Sequence, residues 1–146
     1  MEFLENIPDE LEKIIADGHV LYEAEHGIVC HHQRFGFVTR DENGEIIGAL
    51  FAYKAFAEIY VDDLWVKENL RNQGVGTALL EALEKRFQGE GFNNISLVTY
   101  QFQAPEFYKK CGFSLEFIRK NVQHPKLTKF FFIKYFNEER EMQGVL

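Results

Sequence analysis

The spacing of hydrophobic residues changes several times along this chain of 146 residues, and each spacing predicts a different element. The stretch IPDELEKIIADG has a proline and acidic residues before an apolar face, which predicts a helix that ends at Gly18 or runs on towards Gly27. Alternating residues on both sides of DENG predict a hairpin, with Asn43 and Gly44 suited to positive φ. The segment AEIYVDDLWV, rich in β-branched and aromatic residues, predicts a third strand.

The spacing becomes helical again after Gly74 and predicts an amphipathic helix that is ended by Gly89 and Gly91. Its predicted apolar face comprises Val75, Ala78, Leu79, Ala82, Leu83 and Phe87. Beyond it, NNISLVTY predicts a strand, APEFYKKCG a short helix, and FSLEFIRK and LTKFFFIKYF two more strands. This order predicts a mixed α/β fold of the α+β type, with one sheet in a single domain over residues 1–146 and a loose polar tail, NEEREMQGVL.

Composition narrows the class of protein. The chain is 46% hydrophobic and 27% charged, as in folded globular proteins, and its net charge of −7 argues against a nucleic-acid binder. Two cysteines, Cys30 and Cys111, form no disulfide framework, and the adjacent ligands of CHHQ lack the spacing of a metal site, so no metal is predicted. The start of the chain does not resemble a signal peptide and no apolar run approaches ~20 residues, so we expect a cytoplasmic protein without a membrane partner.

A glycine pair at the start of the long predicted helix is the first candidate site. Gly74 and Gly76 lie where unpaired helix amides point outward, and missing side chains let a ligand approach that backbone. A phosphate is the natural occupant, with Arg71 and Thr77 as further donors. The alternative is that the glycines only provide a tight turn and close helix packing. The run is not a P-loop, because no Lys-Ser or Lys-Thr pair follows it.

Two motifs in order resemble the GNAT acyltransferases, the GCN5-related N-acetyltransferase superfamily. LWVKENLRNQGVGTALL contains an R-x-x-G-x-G signature between a strand and a helix, and QAPEFYKKCGF resembles the family's A...Y...GF element. The resemblance extends from about residue 35 to residue 136. It implies one mixed sheet of about six to seven strands, flanked by helices and splayed between the fourth and fifth family strands. The first family strand is not evident in residues 1–33.

The resemblance implies acetyl-CoA as co-substrate, with its pantetheine arm between the strands YVDDLWV and NNISLVTY. The backbone of Leu64 and Val66 would pair with the arm and polarise the thioester carbonyl. Gln101 stands where many relatives carry an asparagine that bonds the arm, and Gln103 is an alternative. The implied cofactor-binding residues are Leu64, Trp65, Val66, Arg71, Asn72, Gln73, Gly74, Val75, Gly76, Thr77, Gln101, Ala104 and Phe107.

The implied chemistry is direct attack of a primary amine on the thioester in a ternary complex. Tyr108 matches the family's tyrosine and is expected to protonate the departing thiolate, with packing on the core as the alternative. Glu58 matches the catalytic glutamate of the histone-acetylating branch. Strand alternation puts Glu58 and Asp62 on one face and Asp63 on the other unless a bulge intervenes, so all three stay candidates for the general base.

The acceptor is expected to be a small molecule or a peptide amine, and the negative charge favours a cationic one such as a polyamine, an aminoglycoside or a lysine. The alternatives are a non-catalytic acyl-CoA-binding or regulatory module and an interaction protein. Cys111 is interpreted as a small buried residue rather than an acyl carrier. If the strand KFFFIKYF is exposed, it would form a homodimer edge or an aggregation-prone edge.

Overall fold

The computed structural model describes residues 1–136, and the predicted polar tail lies outside them. The main elements follow the predicted order of one helix, three strands, a helix, a strand, a helix and two strands. Their bounds are α1 Asp9–Glu25, β1 Gln33–Arg40, β2 Ile46–Ala55, β3 Glu58–Val66, α2 Val75–Phe87, β4 Asn94–Tyr100, α3 Glu106–Lys110, β5 Ser114–Arg119 and β6 Lys129–Tyr135.

The strands form one mixed sheet in the order β1-β2-β3-β4-β6-β5. All neighbouring strands are antiparallel except β3 and β4, which are parallel and joined by the α2 crossover. These findings confirm the predicted mixed α/β fold with one sheet. The strand KFFFIKYF is not an edge, because β6 pairs with β4 on one side and β5 on the other. The edges are β1 and β5.

The β1–β2 turn differs from the prediction at one residue. Gly44 has a φ of 82°, whereas Asn43 is not among the residues with positive φ. Asp41 accounts for the difference, because its Oδ1 accepts hydrogen bonds from the N–H groups of Asn43 and Glu45. The amide of Gly44 donates to the Asp41 carbonyl, so the loop is a turn followed by one left-handed residue.

The first helix passes Gly18 and ends just before Gly27. Gly27 has a φ of 70°, its amide donates to the Ala24 carbonyl, and the next amide, of Ile28, donates to the Glu23 carbonyl. This pair of bonds is a Schellman ending, which glycine favours because it lacks a Cβ. No residue of α1 is buried, so the apolar face that the sequence predicts covers no part of the described core.

The core lies between one face of the sheet and the helices α2 and α3. Gly48 of β2 leaves room there for Val75 and Leu79 of α2, since a Cβ on Gly48 would lie 2.8 Å from Val75 Cγ1. The predicted face of α2 is wrong at two positions, because Ala78 is exposed and Leu80 is buried. The buried face of α2 comprises Gly76, Leu79, Leu80, Leu83 and Phe87, which lie together on a helical wheel rotated away from Ala78.

Candidate active site

The parallel strands β3 and β4 part from each other halfway along, as the resemblance predicts. Their pairing runs from Glu58 with Asn94 to Val61 with Leu97 and then ends. Beyond Val61, β3 continues to pair with β2, and β4 continues to pair with β6. The backbone of residues 62–66 therefore lacks a strand partner on the side that faces β4. We call this opening the β3–β4 gap.

A β-bulge lies at the point where the two strands part. Ala52 of β2 pairs with Val61 and the next residue, Phe51, pairs with Asp63, so Asp62 is the extra residue. The bulge brings Asp63 onto the face that carries Tyr60, because Tyr53 and Phe51 alternate on β2 opposite Tyr60 and Asp63. In a strand without a bulge, Asp62 and Asp63 would lie on opposite faces of the sheet. The bulge removes this separation. The face without α2 and α3 is called the open face below.

The glycine turn opens α2 at the end of the gap. Gly74 has a φ of 85° and is the N-cap of α2, and Asn72 is also left-handed, with a φ of 62°. Left-handed residues before a helix turn successive amides towards one point, which is an anion-binding arrangement. A Cβ on Gly74 would have no atom within 4 Å, so this residue borders open space. Arg71 is anchored beside these amides, since its Nε donates to the Val66 carbonyl at 3.2 Å.

The second glycine serves packing as well. A Cβ on Gly76 would lie 3.0 Å from Cζ of Phe107 and 3.7 Å from Cγ2 of Val66. Gly76 therefore allows α2 to approach both α3 and β3. The two glycines therefore differ: Gly74 borders open space, whereas Gly76 permits close packing. Phe107 borders the gap on the helix-bearing side of the sheet.

Tyr108 lies next to Phe107 in a cluster of aromatic rings. Its ring centroid is 5.8 Å from that of Phe132 and 6.1 Å from that of Phe113. Burial, with a smaller contribution from Cys111, raises the pKa of Tyr108 to about 12. Its hydroxyl has no hydrogen-bond partner among residues 1–136, so the proton remains available to a ligand. Cys111 is half-buried, with its Sγ 3.7 Å from the Thr77 hydroxyl.

Glu58 lies away from the β3–β4 gap. It is the first residue of β3, and its Oε1 accepts a hydrogen bond of 3.3 Å from Nδ2 of Asn94, where the strands are still paired. Val61 is three residues further along β3, a distance of about 10 Å. The structure does not bring Glu58 together with Asp62 and Asp63, so a proton could reach it from the gap only through intervening groups or water.

Polar and aromatic side chains beside the gap on the open face include several that sequence reasoning missed. Arg34 pairs with both carboxylates, at 3.4 Å from Asp62 and 3.9 Å from Asp63. The rings of Tyr53 and Tyr60 are 5.3 Å apart. Burial, followed by the nearby Tyr53, Asp62 and Tyr100, raises the pKa of Tyr60. The hairpin turn was only a partial signal: counting back from it pairs Arg34 with Ala52, and the register shift between Thr39 and Arg40 moves the partner to Tyr53.

The two glutamines after β4 have different environments. Oε1 of Gln103 accepts bonds from the Tyr100 amide at 3.0 Å and the Thr99 hydroxyl at 3.3 Å, so it is engaged in the local turn. Gln101 is exposed, and its backbone N–H donates to the Thr128 carbonyl. Ala104 follows with a φ of 56°. Of the two glutamines, Gln101 has the side chain that is free to meet a ligand.

A solvent-open cavity of about 740 Å³ adjoins the gap and is lined by Trp65, Lys67, Glu68, Asn69 and Arg71. It connects the open-face end of β3 with the segment that leads into the glycine turn. Residues 1–136 contain no group of three His, Cys, Asp or Glu side chains suited to a metal ion. Within the same residues, no helix is both long enough and apolar enough to cross a membrane.

Comparison with known proteins identifies the family. Residues 3–113 match the profile of the acetyltransferase (GNAT) family. Over 75 residues the chain is 36% identical to blasticidin-S acetyltransferase of Streptomyces morookaense, a match that covers 51% of this chain and 55% of that enzyme. The chain thus spans about half the length of this curated relative.

Solved structures agree with the sequence comparison. An acetyltransferase from Bacillus cereus ATCC 14579 superposes with a TM-score of 0.74 at 29% identity, covering 92% of this chain and 97% of that one. A structure described as a streptothricin acetyltransferase from Bacillus anthracis, in complex with acetyl coenzyme A, shares the fold with a TM-score of 0.62 at 22% identity, covering 71% and 63%. The chain belongs to the GNAT family of acetyltransferases.

Proposed function

We propose that this acyltransferase moves the acetyl group of acetyl-CoA to a primary amine of a small molecule by direct attack in a ternary complex. The observation that carries the proposal is the β3–β4 gap, which ends at the glycine turn of α2. An unpaired strand edge suits an extended chain containing amides, and a helix N-terminus with open space suits a pyrophosphate. Acetyl-CoA joins these two chemical features and supplies a thioester-activated acetyl group.

Each part of the gap has a proposed task. The backbone of Leu64 and Val66 would bond the pantetheine arm, and the amides of residues 72–77, with Arg71, would hold the pyrophosphate. The bulge at Asp62 leaves backbone unpaired where the strands part, and an N–H there would stabilise negative charge on the acetyl oxygen. Gln101 would contact the arm from the end of β4.

Asp62 is the proposed general base. Its side chain lies at the bulge and is 30% exposed, whereas that of Asp63 is 67% exposed. An ammonium group cannot attack a thioester, so a carboxylate beside the gap would take the proton of the amine directly or through water. Tyr60 lies next to Asp62 on the open face and would border the incoming amine. Glu58 would act only at the far end of a chain of water molecules that carries the proton away from the gap.

Tyr108 is proposed to donate a hydrogen bond to the departing sulfur. A thiol has an ordinary pKa of ~8.5, so complete proton transfer from a phenol with a pKa of about 12 would be uphill by roughly 5 kcal/mol. A hydrogen bond to the thiolate carries no such cost and still lowers the barrier to its departure. The raised pKa keeps the phenol in its donating form throughout the neutral range.

The acceptor is proposed to be a small cationic amine that approaches from the open face. Asp62 and Asp63 supply negative charge there, partly offset by Arg34, and Tyr53 and Tyr60 supply aromatic surface. Carboxylates and aromatic rings together favour ammonium groups. The acetyltransferase relative named for blasticidin S supports a small molecule over a peptide. A panel of amines that showed preference for anionic or peptide acceptors would refute this part.

Thermal unfolding with and without acetyl-CoA tests the cofactor site. Acetyl-CoA at ~100 times its Kd should stabilise the wild type by about 2.7 kcal/mol and raise its Tm by roughly 5 to 10 °C. Gly74→Glu should abolish the shift, since it puts a carboxylate in front of the amides. Gly44→Glu is the matched control, because Gly44 also has a positive φ of 82° and open space but lies in the β1–β2 turn.

The Gly44→Glu control should lose about as much stability as Gly74→Glu and keep the full rise in Tm with acetyl-CoA. An unchanged Tm for folded wild type, or an equal shift in Gly74→Glu, would remove the basis of the proposed cofactor site. If acetyl-CoA binds but no amine in the panel is acetylated, the chain is a non-catalytic acyl-CoA-binding module instead.

A further inference from the structure

A lysine occupies a core position of the sheet. Lys134 of β6 pairs with Ile95 of β4 and alternates with Phe132, so its side chain lies on the helix-bearing side, where the core is. That side chain is only 28% exposed. An ammonium group in such a place costs free energy unless it is paired, so its partners indicate what it does there.

The ammonium of Lys134 contacts both helices on that side. Its Nζ lies 2.7 Å from Oε2 of Glu84 on α2, whose side chain is 31% exposed. The same nitrogen donates a hydrogen bond of 3.1 Å to the backbone carbonyl of Cys111, the C-cap of α3. It also lies 5.9 Å from the ring centroid of Phe113. One side chain of β6 thus joins α2 to the end of α3.

Gly112 makes room for this contact. It has a φ of 90°, and a Cβ there would lie 3.2 Å from Nζ and 3.3 Å from Cε of Lys134. The carbonyl of Cys111 belongs to the end of α3, where carbonyls lack partners within the helix and carry partial negative charge. The cation therefore fixes the end of a helix of five residues, which is too short to be stable by itself.

The turn that Lys134 holds is also the turn that holds Tyr108. The carbonyl of Tyr108 accepts hydrogen bonds from the backbone N–H groups of Cys111 at 3.1 Å and Phe113 at 3.0 Å. The ring of Tyr108 packs on that of Phe113, with centroids 6.1 Å apart. A movement of this turn would therefore carry Tyr108 with it.

The helix α3 is fixed to α2 at two places. One is the apolar contact between Gly76 and Phe107. The other lies eight residues further along α2, about 12 Å away, where Glu84 reaches α3 through Lys134. Two contact points along α2 restrict tilting of α3, which a single contact would allow.

We propose that Lys134 is a positioning residue for the acyl transfer, which holds α3 so that the hydroxyl of Tyr108 meets the departing sulfur in the β3–β4 gap. This inference rests on the proposed function, because it concerns the proposed task of Tyr108. In this role Lys134 acts through the Cys111 carbonyl and does not touch the reacting atoms. A hydrogen bond weakens steeply with distance, so a shift of α3 by about 1 Å is enough to impair that task.

The double variant Lys134→Met, Glu84→Gln tests the proposal. It removes the ammonium, keeps an unbranched side chain of similar length and leaves no carboxylate without its partner. We expect kcat to fall about fivefold, because Tyr108 is displaced, while the KM for acetyl-CoA stays within roughly twofold of wild type, because the glycine turn is intact. The matched control is Lys109→Met with Glu106→Gln, which removes an exposed ion pair of α3 and should keep wild-type kcat.

The Tyr108→Phe background separates positioning from other causes. In that background, Lys134→Met with Glu84→Gln should lower kcat by less than roughly twofold, since the hydroxyl to be positioned is already missing. A folded double variant with wild-type kcat would overturn the proposal, as would an equal fivefold loss in both backgrounds. If the double variant does not fold, Lys134→Gln, which keeps one neutral donor, must show the same pattern with a smaller loss.

Amide hydrogen exchange tests the anchoring of α3 without any substrate. The N–H groups of Cys111 and Phe113 should exchange about tenfold faster in the double variant than in the wild type or the control, because the turn opens more often. Unchanged exchange rates would overturn the proposal. Faster exchange in an enzyme whose Tyr108→Phe variant keeps wild-type kcat, or that acetylates no amine, would place the failure in the proposed function and not in the anchoring of α3.

Discussion

At the scale of single residues, the extra residue in β3 decides which carboxylates lie where the proposed reaction would occur. Asp62 lies where β3 parts from β4, and the bulge puts Asp63 on the same face. Arg34 reaches both, so neither carboxylate is free of a partner. The identity of the base therefore depends on reach into the gap rather than on which face a side chain occupies.

Replacing Asp62 tests this assignment. In Asp62→Asn, kcat should fall about 100-fold at neutral pH, because a general base contributes 10²–10⁴-fold. The rate of the variant should rise with pH as more of the acceptor loses its own proton. Initial-rate measurements from pH 6 to about 10 would show this, spanning the range below an ordinary amine pKa of ~10.4. Asp63→Asn is the matched control, and its kcat should stay within roughly threefold of the wild-type value. An Asp62→Asn enzyme with wild-type kcat would refute the assignment.

Tyr108 makes a prediction about stability at high pH. Its pKa is about 12 in the folded protein and ~10 when unfolded, so the folded state keeps the proton longer. This contribution is fully present below pH 10 and is lost as pH rises from 10 to 12, because the unfolded state then binds fewer protons than the folded state. Two pKa units correspond to about 3 kcal/mol of unfolding free energy.

Urea unfolding of wild type and Tyr108→Phe at pH 8 and at about pH 11 measures this contribution. Wild type should lose more stability than Tyr108→Phe over that interval. Equal losses would mean that burial does not hold the phenol proton. The same variant should keep acetyl-CoA binding and lose about tenfold in kcat, if the hydroxyl bonds the departing sulfur.

At the scale of elements, the candidate site is the junction of β3, α2 and α3. Gly76 lies at that junction, and Cζ of Phe107 of α3 is 3.0 Å from where the Cβ of a larger residue would be. A helix normally favours alanine over glycine by about 1 kcal/mol. At this position the contact with Phe107 opposes that preference.

A double-mutant cycle separates the two effects. Gly76→Ala should destabilise the wild type by roughly 1 to 2 kcal/mol, because the new methyl overpacks against the ring. In a Phe107→Leu background, the same change should be neutral or stabilising by up to about 1 kcal/mol. Chemical denaturation of the four proteins gives the coupling energy. Additive effects would mean that α3 moves freely and does not fix the helix-bearing side of the gap.

At the scale of the whole molecule, net charge is a poor guide to this active site. The value of −7 suggested a cationic acceptor, but all of it lies in residues 1–25, outside the sheet. Beyond a Debye length of ~8 Å, exposed charges on α1 are screened at physiological salt. Support for a cationic acceptor comes instead from Asp62, Asp63 and the tyrosines beside the gap.

The sequence by itself determined the order of the elements and predicted a candidate anion site at the start of α2. Apolar spacing separated strands from helices, since side chains alternate in a strand and recur every 3.6 residues in a helix. Glycines marked the ends of elements, because positive φ is costly for other residues. The run from Arg71 to Thr77 predicted an anion site from local chemistry alone, and the structure opens space at Gly74.

Only the tertiary structure decided which residues meet across strands. The bulge at Asp62 depends on the pairing of β3 with β2, which no local pattern encodes, and one extra residue changes which side chains share a face. Glu58 matched a family motif, yet its place in the paired part of the sheet separates it from the gap. The isolation of α1 was equally invisible in its sequence, because an amphipathic pattern states that a helix needs a partner and leaves the partner to three-dimensional packing.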